Sequence, residues 1–277
     1  MSLSDACQAL GVSRSGYYAH LRKPAQPRRR LDAHLGAQIR EAFTASRHTY
    51  GSPRLLAALR AKGLRLGNNR VARLMREQGL QARQKRRFIP RTTLTDKTAI
   101  PAPNRLLQRP LPTKLNEVWV TDMTYLPTAE GWLYLAAEMD LCSRRILGWD
   151  TSESLATSLP ASALNHALQA RSPTSQSIIH HSDRGCQYTS AAFSAQLQLR
   201  SMTPSMSRTA NCYDNAAMES FWATLKTECF AGSIPATRAQ ARSMVFDYIE
   251  TFYNPLRLHS SLDFLSPIAF ENSLLNN

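Results

Sequence analysis

The sequence predicts a mixed α/β layer domain preceded by an all-α, helix-turn-helix-like region, and three observations carry the prediction. Apolar periodicity is helical over roughly the first 80 residues and becomes strand-like alternation beyond residue 112. Charge divides in the same way. Residues 1–110 hold 23 Lys/Arg against 5 Asp/Glu, a net +18, whereas residues 111–277 hold 11 against 15, a net −4. Between the two runs a stretch of weak periodicity, from Arg83, Lys85, Arg86, Arg87 and Arg91 to Pro101, Pro103, Pro110 and Pro112. It reads as an extended basic linker able to track phosphates.

The front half is expected to hold two helical units. Asp5 to Leu10, the Gly11-Val12 break, and a helix capped by Ser13 and carrying Tyr17, Tyr18 and Leu21 outline a short helix-turn-helix over residues 1–25. Lys23 to Arg30 reads as extended linker because of Pro24 and Pro27. Leu35, Ile39 and Phe43 then recur at helical spacing. Tyr50-Gly51-Ser52 makes a turn, Pro53 suits a helix start, and Leu55, Leu56 and Leu59 form the next stripe. Gly63 stops that helix, and Asn68 or Asn69 is placed to cap a third, through Val71, Leu74 and Met75 to Gly79. Arg70, Arg73 and Arg76 recur along this third helix, as in a helix that enters the major groove or as a solvated basic face. The second unit is assigned to residues 31–90, the linker to 91–112 and the α/β domain to 113–277.

In that domain Val118 to Leu126 predicts a strand, a turn at Glu130-Gly131 leads to a second from Trp132 to Asp140, and Arg145 to Asp150 completes an antiparallel meander. Ser158 to Gln169 is helical, Ser177 to Asp183 a fourth strand, Thr189 to Leu199 helical and Met202 to Met206 a short fifth strand. A long helix follows over about Asn215 to Cys229.

Composition narrows the function. With 43% apolar residues the chain can bury a core, and no apolar run approaches the roughly 18 residues that span a bilayer. Met1 to Leu10 lacks the pattern of a secretory signal, so a cytosolic setting without membrane contact is expected. Cys7, Cys142, Cys186, Cys212 and Cys229 are odd in number and form no Cys-x-x-Cys pair, so they read as reduced and mostly packing residues. A net charge of +14 points to nucleic acid. A basic surface kept for solubility explains the total but not its segregation.

Three acidic residues sit where a metal site would want them. Asp122 lies inside the apolar strand Val118 to Tyr125, where a carboxylate is costly unless paired or coordinated. Asp183 ends the fourth strand, on the same face as His181. Glu219 lies near the start of the last helix among Ala216, Ala217, Phe221 and Trp222. Lys226 shares its face two turns on and Asn215 one turn before, and both are candidates for DNA contact. Magnesium and manganese prefer such oxygen ligands, and a pair of ions can drive phosphoryl transfer without a covalent protein nucleophile. By spacing alone the trio is not unique, since Glu138, Asp140 and Asp150 are rivals.

The flanking residues single it out. Trp119-Val120-Thr121-Asp122-Met123-Thr124-Tyr125, His180-His181-Ser182-Asp183-Arg184-Gly185-Cys186-Gln187-Tyr188 and the run from Asn211 to Phe221 resemble the three catalytic blocks of bacterial insertion-sequence transposases of the IS-three family. Tyr253-Asn254-Pro255-Leu256-Arg257-Leu258-His259, the Ser266-Pro267 pair and His48 to Arg54 are similar to other parts of that family's second-frame product, so the resemblance runs through essentially the whole chain. Ala210, Arg200 and Asp263 depart from positions where the family often has glycine, which touches loop geometry rather than a proposed ligand.

The resemblance implies a ribonuclease H-like, retroviral-integrase-like core with a mixed five-stranded sheet. Its three catalytic carboxylates, ligands to a pair of Mg2+ or Mn2+ ions in that family, fall on Asp122, Asp183 and Glu219, with 35 residues between the last two as the family pattern expects. It places Lys226 on DNA phosphate and implies multimers on DNA, terminal repeats and target DNA as partners, a first-frame protein as helper and a bacterial, nucleoid-associated setting. His181 is expected to serve the structure or position substrate rather than ligate a metal, and Arg257 and His259 either to position DNA or to pack the tail. A regulator that binds DNA without cutting it, and a plain metal-dependent nuclease, are the competing functions.

Overall fold

The computed structural model describes residues 2–22, 27–83, 101–107, 109–156, 158–171, 177–208 and 215–276. Arg86, Arg87, half of the linker expected over 91–112 and residues 211–214 of the third block lie outside them. The chain divides into two compact units, Met1–Ala82 and Arg83–Asn277.

The first unit is all helical: α1 (Leu3–Ala9), α2 (Arg14–Arg22), α3 (Pro27–Ala45), α4 (Ser52–Ala61) and α5 (Asn68–Glu77). A capping box between Ser2 and Asp5 starts α1, and the Gly16 amide donates to Ser13 Oγ at 3.0 Å at the head of α2. Ile39, Leu55, Leu59 and Val71 are fully buried where α3, α4 and α5 meet. Two local expectations need correction. The helix expected from Leu31 begins at Pro27, because proline's fixed φ and missing N–H suit a first helical turn as well as a linker. Asn68 opens α5 rather than capping it; the cap is Gly67, in extended conformation with no side-chain acceptor.

The second unit is built on β1 (Val118–Thr128), β2 (Gly131–Asp140), β3 (Ile146–Ser152), β4 (Ile179–Ser182) and β5 (Thr203–Met206), in the order β3-β2-β1-β4-β5. The meander β1-β2-β3 is antiparallel, whereas β4 and β5 add on in parallel after crossovers through α6 (Ser158–Arg171) and α7 (Ala191–Leu199). Trp119, Leu164, Ala167, Phe193 and Leu197 form the core under these helices. Gly148 lets α6 come this close: a Cβ there would stand 2.3 Å from the Ala167 nitrogen and 2.4 Å from the Ala163 oxygen. The predicted strands and helices fall within about three residues of those observed, and the architecture is the ribonuclease H-like mixed sheet.

Then come α8 (Ala216–Glu228), α9 (Arg238–Phe246), a π-helical turn at Asp247–Tyr253 and α10 (Pro267–Leu275). The tail is fastened by buried polar groups. Asn254 pairs its side-chain amide with both the amide and the carbonyl of Ile146, each at 3.0 Å, and so extends the edge of β3. Glu271 accepts from Ser143 Oγ at 2.7 Å and from Arg145 at 2.8 Å, and also meets Arg171. Cys7 and Cys142 are buried, Cys229 partly so and Cys186 exposed, so Cys186 is not a packing residue as expected; among the described residues none forms a disulfide.

Candidate active site

The site grows out of a mismatch in strand length. β1 runs for 11 residues but β4 for only four. Their parallel register pairs Val118 with Ile179, Trp119 with His180 and Val120 with His181, and goes no further. Asp183 follows directly on the end of β4, and its carboxylate is near enough to Asp122 to interact with it. Beyond Val120 the edge of β1 has lost its strand partner, and backbone groups there need another.

Helix α8 takes that place. Asn215, at its head, donates from Nδ2 to the Thr121 carbonyl at 3.0 Å. Two turns on, Trp222 Nε1 donates to Asp122 Oδ2 at 2.9 Å. One turn further, Lys226 Nζ stands 4.9 Å from the centre of the Tyr125 ring. These residues share one face of α8 with Glu219, so the helix that latches β1 also presents the third carboxylate.

Electrostatics set the site apart. Burial, then the Asp183 carboxylate, and last Glu219 push Asp122 up to about 7, against the hydrogen bonds from Trp222 and the backbone. Glu219 is exposed at its tip yet raised by partial desolvation. Burial lowers Lys226, and Asp122 opposes that. Asp183 Oδ1 accepts from the Gly185 amide at 2.9 Å, and a Cβ on Gly185 would stand 3.0 Å from that oxygen. Among the described residues no three His, Cys, Asp or Glu side chains close on a metal-sized point, although Asp183 and, more weakly, Glu219 both act on Asp122.

The rival acids have other partners. Glu138 faces the buried His180, whose Nε2 lies 3.1 Å from both carboxylate oxygens. Asp140 accepts from the amides of Asn116, Cys142 and Ser143 and shapes the turn after β2. Asp150 takes the Ser162 hydroxyl at 2.5 Å. His181 is buried, with Nδ1 2.8 Å from Ser205 Oγ. Arg257 is committed to packing: it grips Glu228 through two 2.7 Å bonds, while Tyr248 donates to the same carboxylate at 2.8 Å. His259 packs edge-on against Tyr253.

Of the basic residues singled out in the first unit, Arg70 and Arg73 both turn to Asp32 on α3, at 2.5 and 2.7 Å, and Arg73 also meets Glu77. Arg76 is exposed. Asn215 is buried against β1. Sequence reasoning missed Trp222 as a polar partner; its place three residues after Glu219, on the same helical face, was the available signal.

Comparison with known proteins agrees with this architecture. The family described as "Integrase core domain" matches residues 112–212, a second family of the same description matches 219–275, and an "HTH-like domain" matches 30–88. The insertion element IS600 uncharacterized 31 kDa protein of Shigella sonnei is 43% identical over 95% of this chain and 96% of its own length. Transposase InsF for insertion sequence IS3A of Escherichia coli is 40% identical over 99% of this chain and 95% of its own. The catalytic core domain of BIV integrase aligns at 14% identity with a TM-score of 0.42, over 58% of this chain and 98% of that one, and adds nothing to the assignment. No helix among the described residues is long and apolar enough to cross a membrane. Two integrase-core matches and near full-length identity of about 40% to InsF lead to one conclusion: the chain belongs to the IS3-type insertion-sequence transposases, enzymes of the integrase-core class.

Proposed function

We propose that this transposase cuts DNA at the ends of its element and joins the freed 3′-hydroxyl to a new phosphodiester, with Asp122, Asp183 and Glu219 holding Mg2+ or Mn2+. The observation that carries the reading is the like-charge pair itself: Asp122 lies beside Asp183, and burial and that neighbour push it up to about 7. Perturbed carboxylates of this kind cluster at functional sites. A divalent cation fits because the donors are all oxygens and because its charge would relieve the strain on Asp122. When bound, a pair of such ions activates water or a 3′-hydroxyl and stabilises the leaving oxygen.

The protein's own part is to hold the oxygens in place. β1 presents Asp122 from within a strand, Asp183 follows directly on the end of β4, and α8 brings Glu219 along the open edge of β1. Lys226 lies on the same face and supplies positive charge for a phosphate. In the first unit Arg76 is the residue assigned to phosphate; Arg70 and Arg73 would have to release Asp32 first. Arg86 and Arg87 are assigned to backbone contact on charge alone. Two element ends must be paired, so the working form is a multimer on DNA, helped by the first-frame protein.

The test is cleavage and joining of DNA carrying the element's ends, with Mg2+ or Mn2+, by wild type and Glu219→Gln. The reading expects both steps to need the metal and the variant to lose at least about 10³-fold in rate, the scale of several kcal/mol of lost transition-state stabilisation. Unchanged activity in the variant removes Glu219 from the site. Wild type that binds ends but never cuts them, with the first-frame protein present, favours a DNA-binding regulator.

A further inference from the structure

We infer that Trp222 is a positioning residue for the metal-binding carboxylate Asp122, fixing how its oxygens face the ion. The inference rests on the three-carboxylate reading and goes beyond it. Its basis is the 2.9 Å bond from Trp222 Nε1 to Asp122 Oδ2. An indole N–H only donates: it takes no proton and cannot itself ligate a cation. Together with the backbone hydrogen bond at Met123, the bond to Oδ2 holds the carboxylate's rotation and so sets how its oxygens face the ion.

The ring is held for this task. Trp222 is 6% exposed and packs on Phe221 at 4.8 Å between ring centres; Phe221 meets Tyr253 edge-on at 4.9 Å, and Tyr253 meets His259 at 5.0 Å. Arg257 lies over Tyr253 at 5.9 Å while gripping Glu228 at the far end of α8. The tail thus braces α8 and, through a ladder of rings, the donor on Asp122. Glu219 sits three residues before Trp222 on the same face, so one rigid helix face sets two of the three carboxylates. Hydrogen bonds from outside the ligand set commonly tune metal affinity 10- to 100-fold.

Calorimetric titration of the full chain with Mn2+ tests this, comparing wild type, Trp222→Phe and Asp122→Asn. Phenylalanine keeps a ring in the ladder and removes only the donor. The expected result is a 10- to 100-fold weaker Mn2+ affinity in Trp222→Phe, with melting temperature and binding to element-end DNA close to wild type, and no binding at this site in Asp122→Asn. Wild-type affinity in a folded Trp222→Phe overturns the positioning role and leaves the carboxylate reading standing. Undiminished binding in Asp122→Asn overturns the carboxylate reading, and the positioning role with it. A second measurement needs no folded Trp222 variant: the Trp222 indole N–H resonance of ¹⁵N-labelled wild type should shift on adding Mg2+ and stay fixed in Asp122→Asn. A resonance indifferent to Mg2+ in wild type that binds the ion overturns the proposal.

Discussion

Asp32 in the helical unit and Asp122 in the sheet unit are both carboxylates set against packed elements, and their surroundings are opposite. Asp32 lies between Arg73 and Arg70, whose hydrogen bonds hold it below the usual carboxylate range. Asp122 lies beside Asp183, with burial and that neighbour raising it. Two buried acids of the sheet unit also have basic partners: Glu228 has Arg257, and Glu271 has Arg145 and Arg171. Where an acid serves only the fold, a base or a row of amides answers it. Like charges left side by side mark a place kept for something that arrives later.

The largest effect on stability should come from converting the first pattern into the second. Arg257→Ala strands Glu228 in the core with only Tyr248 as donor. Removing one partner of a buried pair costs about 3–5 kcal/mol, and urea unfolding should show it. A loss below about 1 kcal/mol, the scale of an exposed pair, would mean that the grip on Glu228 is not what holds the tail.

Next comes pH, where the two patterns carry opposite signs. Asp122 titrates near 7 in the folded chain against an ordinary 3.8. Its protonated form therefore contributes stability that is complete below about pH 4 and gone above about pH 7. In chelator, the melting temperature should fall over that window by the equivalent of roughly 2–4 kcal/mol, and Asp122→Asn should flatten the fall. Asp32 is lowered instead, so its contribution is present above its ordinary value and is lost as the pH falls below it. A chelated protein equally stable at pH 4 and pH 7 would break the comparison.

The smallest effect is expected at Asp32 itself. Asp32→Asn releases Arg70 and removes one of the two acidic partners of Arg73, both screened and partly exposed pairs, so melting should move little. The sharper readout is DNA: released arginines should tighten non-specific binding and steepen its salt dependence. If neither changes, these arginines brace α5 and have no latent role on DNA.

Much of this was legible in the sequence. Alternation of apolar residues located the described strands, because a half-buried sheet imposes period two, and the blocks around Asp122, Asp183 and Glu219 pointed to the proposed site. Contacts made across the fold were not legible. Nothing local says that Arg70 and Arg73 meet Asp32, about 40 positions away, or that Trp222 reaches Asp122 a hundred positions away. Glu138, Asp140 and Asp150 stayed rivals until their partners were visible. Asn215 shares a face with Glu219 as its spacing requires, but it meets the open edge of β1 rather than standing free for DNA. Its contact follows from β4 ending before β1 does, a consequence of topology and not of any residue nearby in sequence.

The central claim is that the unneutralised acids form a divalent-cation site, and anomalous scattering from crystals soaked in Mn2+ tests it most directly. The account predicts a manganese peak between Asp122 and Asp183, with Glu219 drawn toward it, and no such peak in Asp122→Asn crystals. A peak confined to another acid, such as the Glu138–His180 pair, or manganese bound equally well without Asp122, would contradict it.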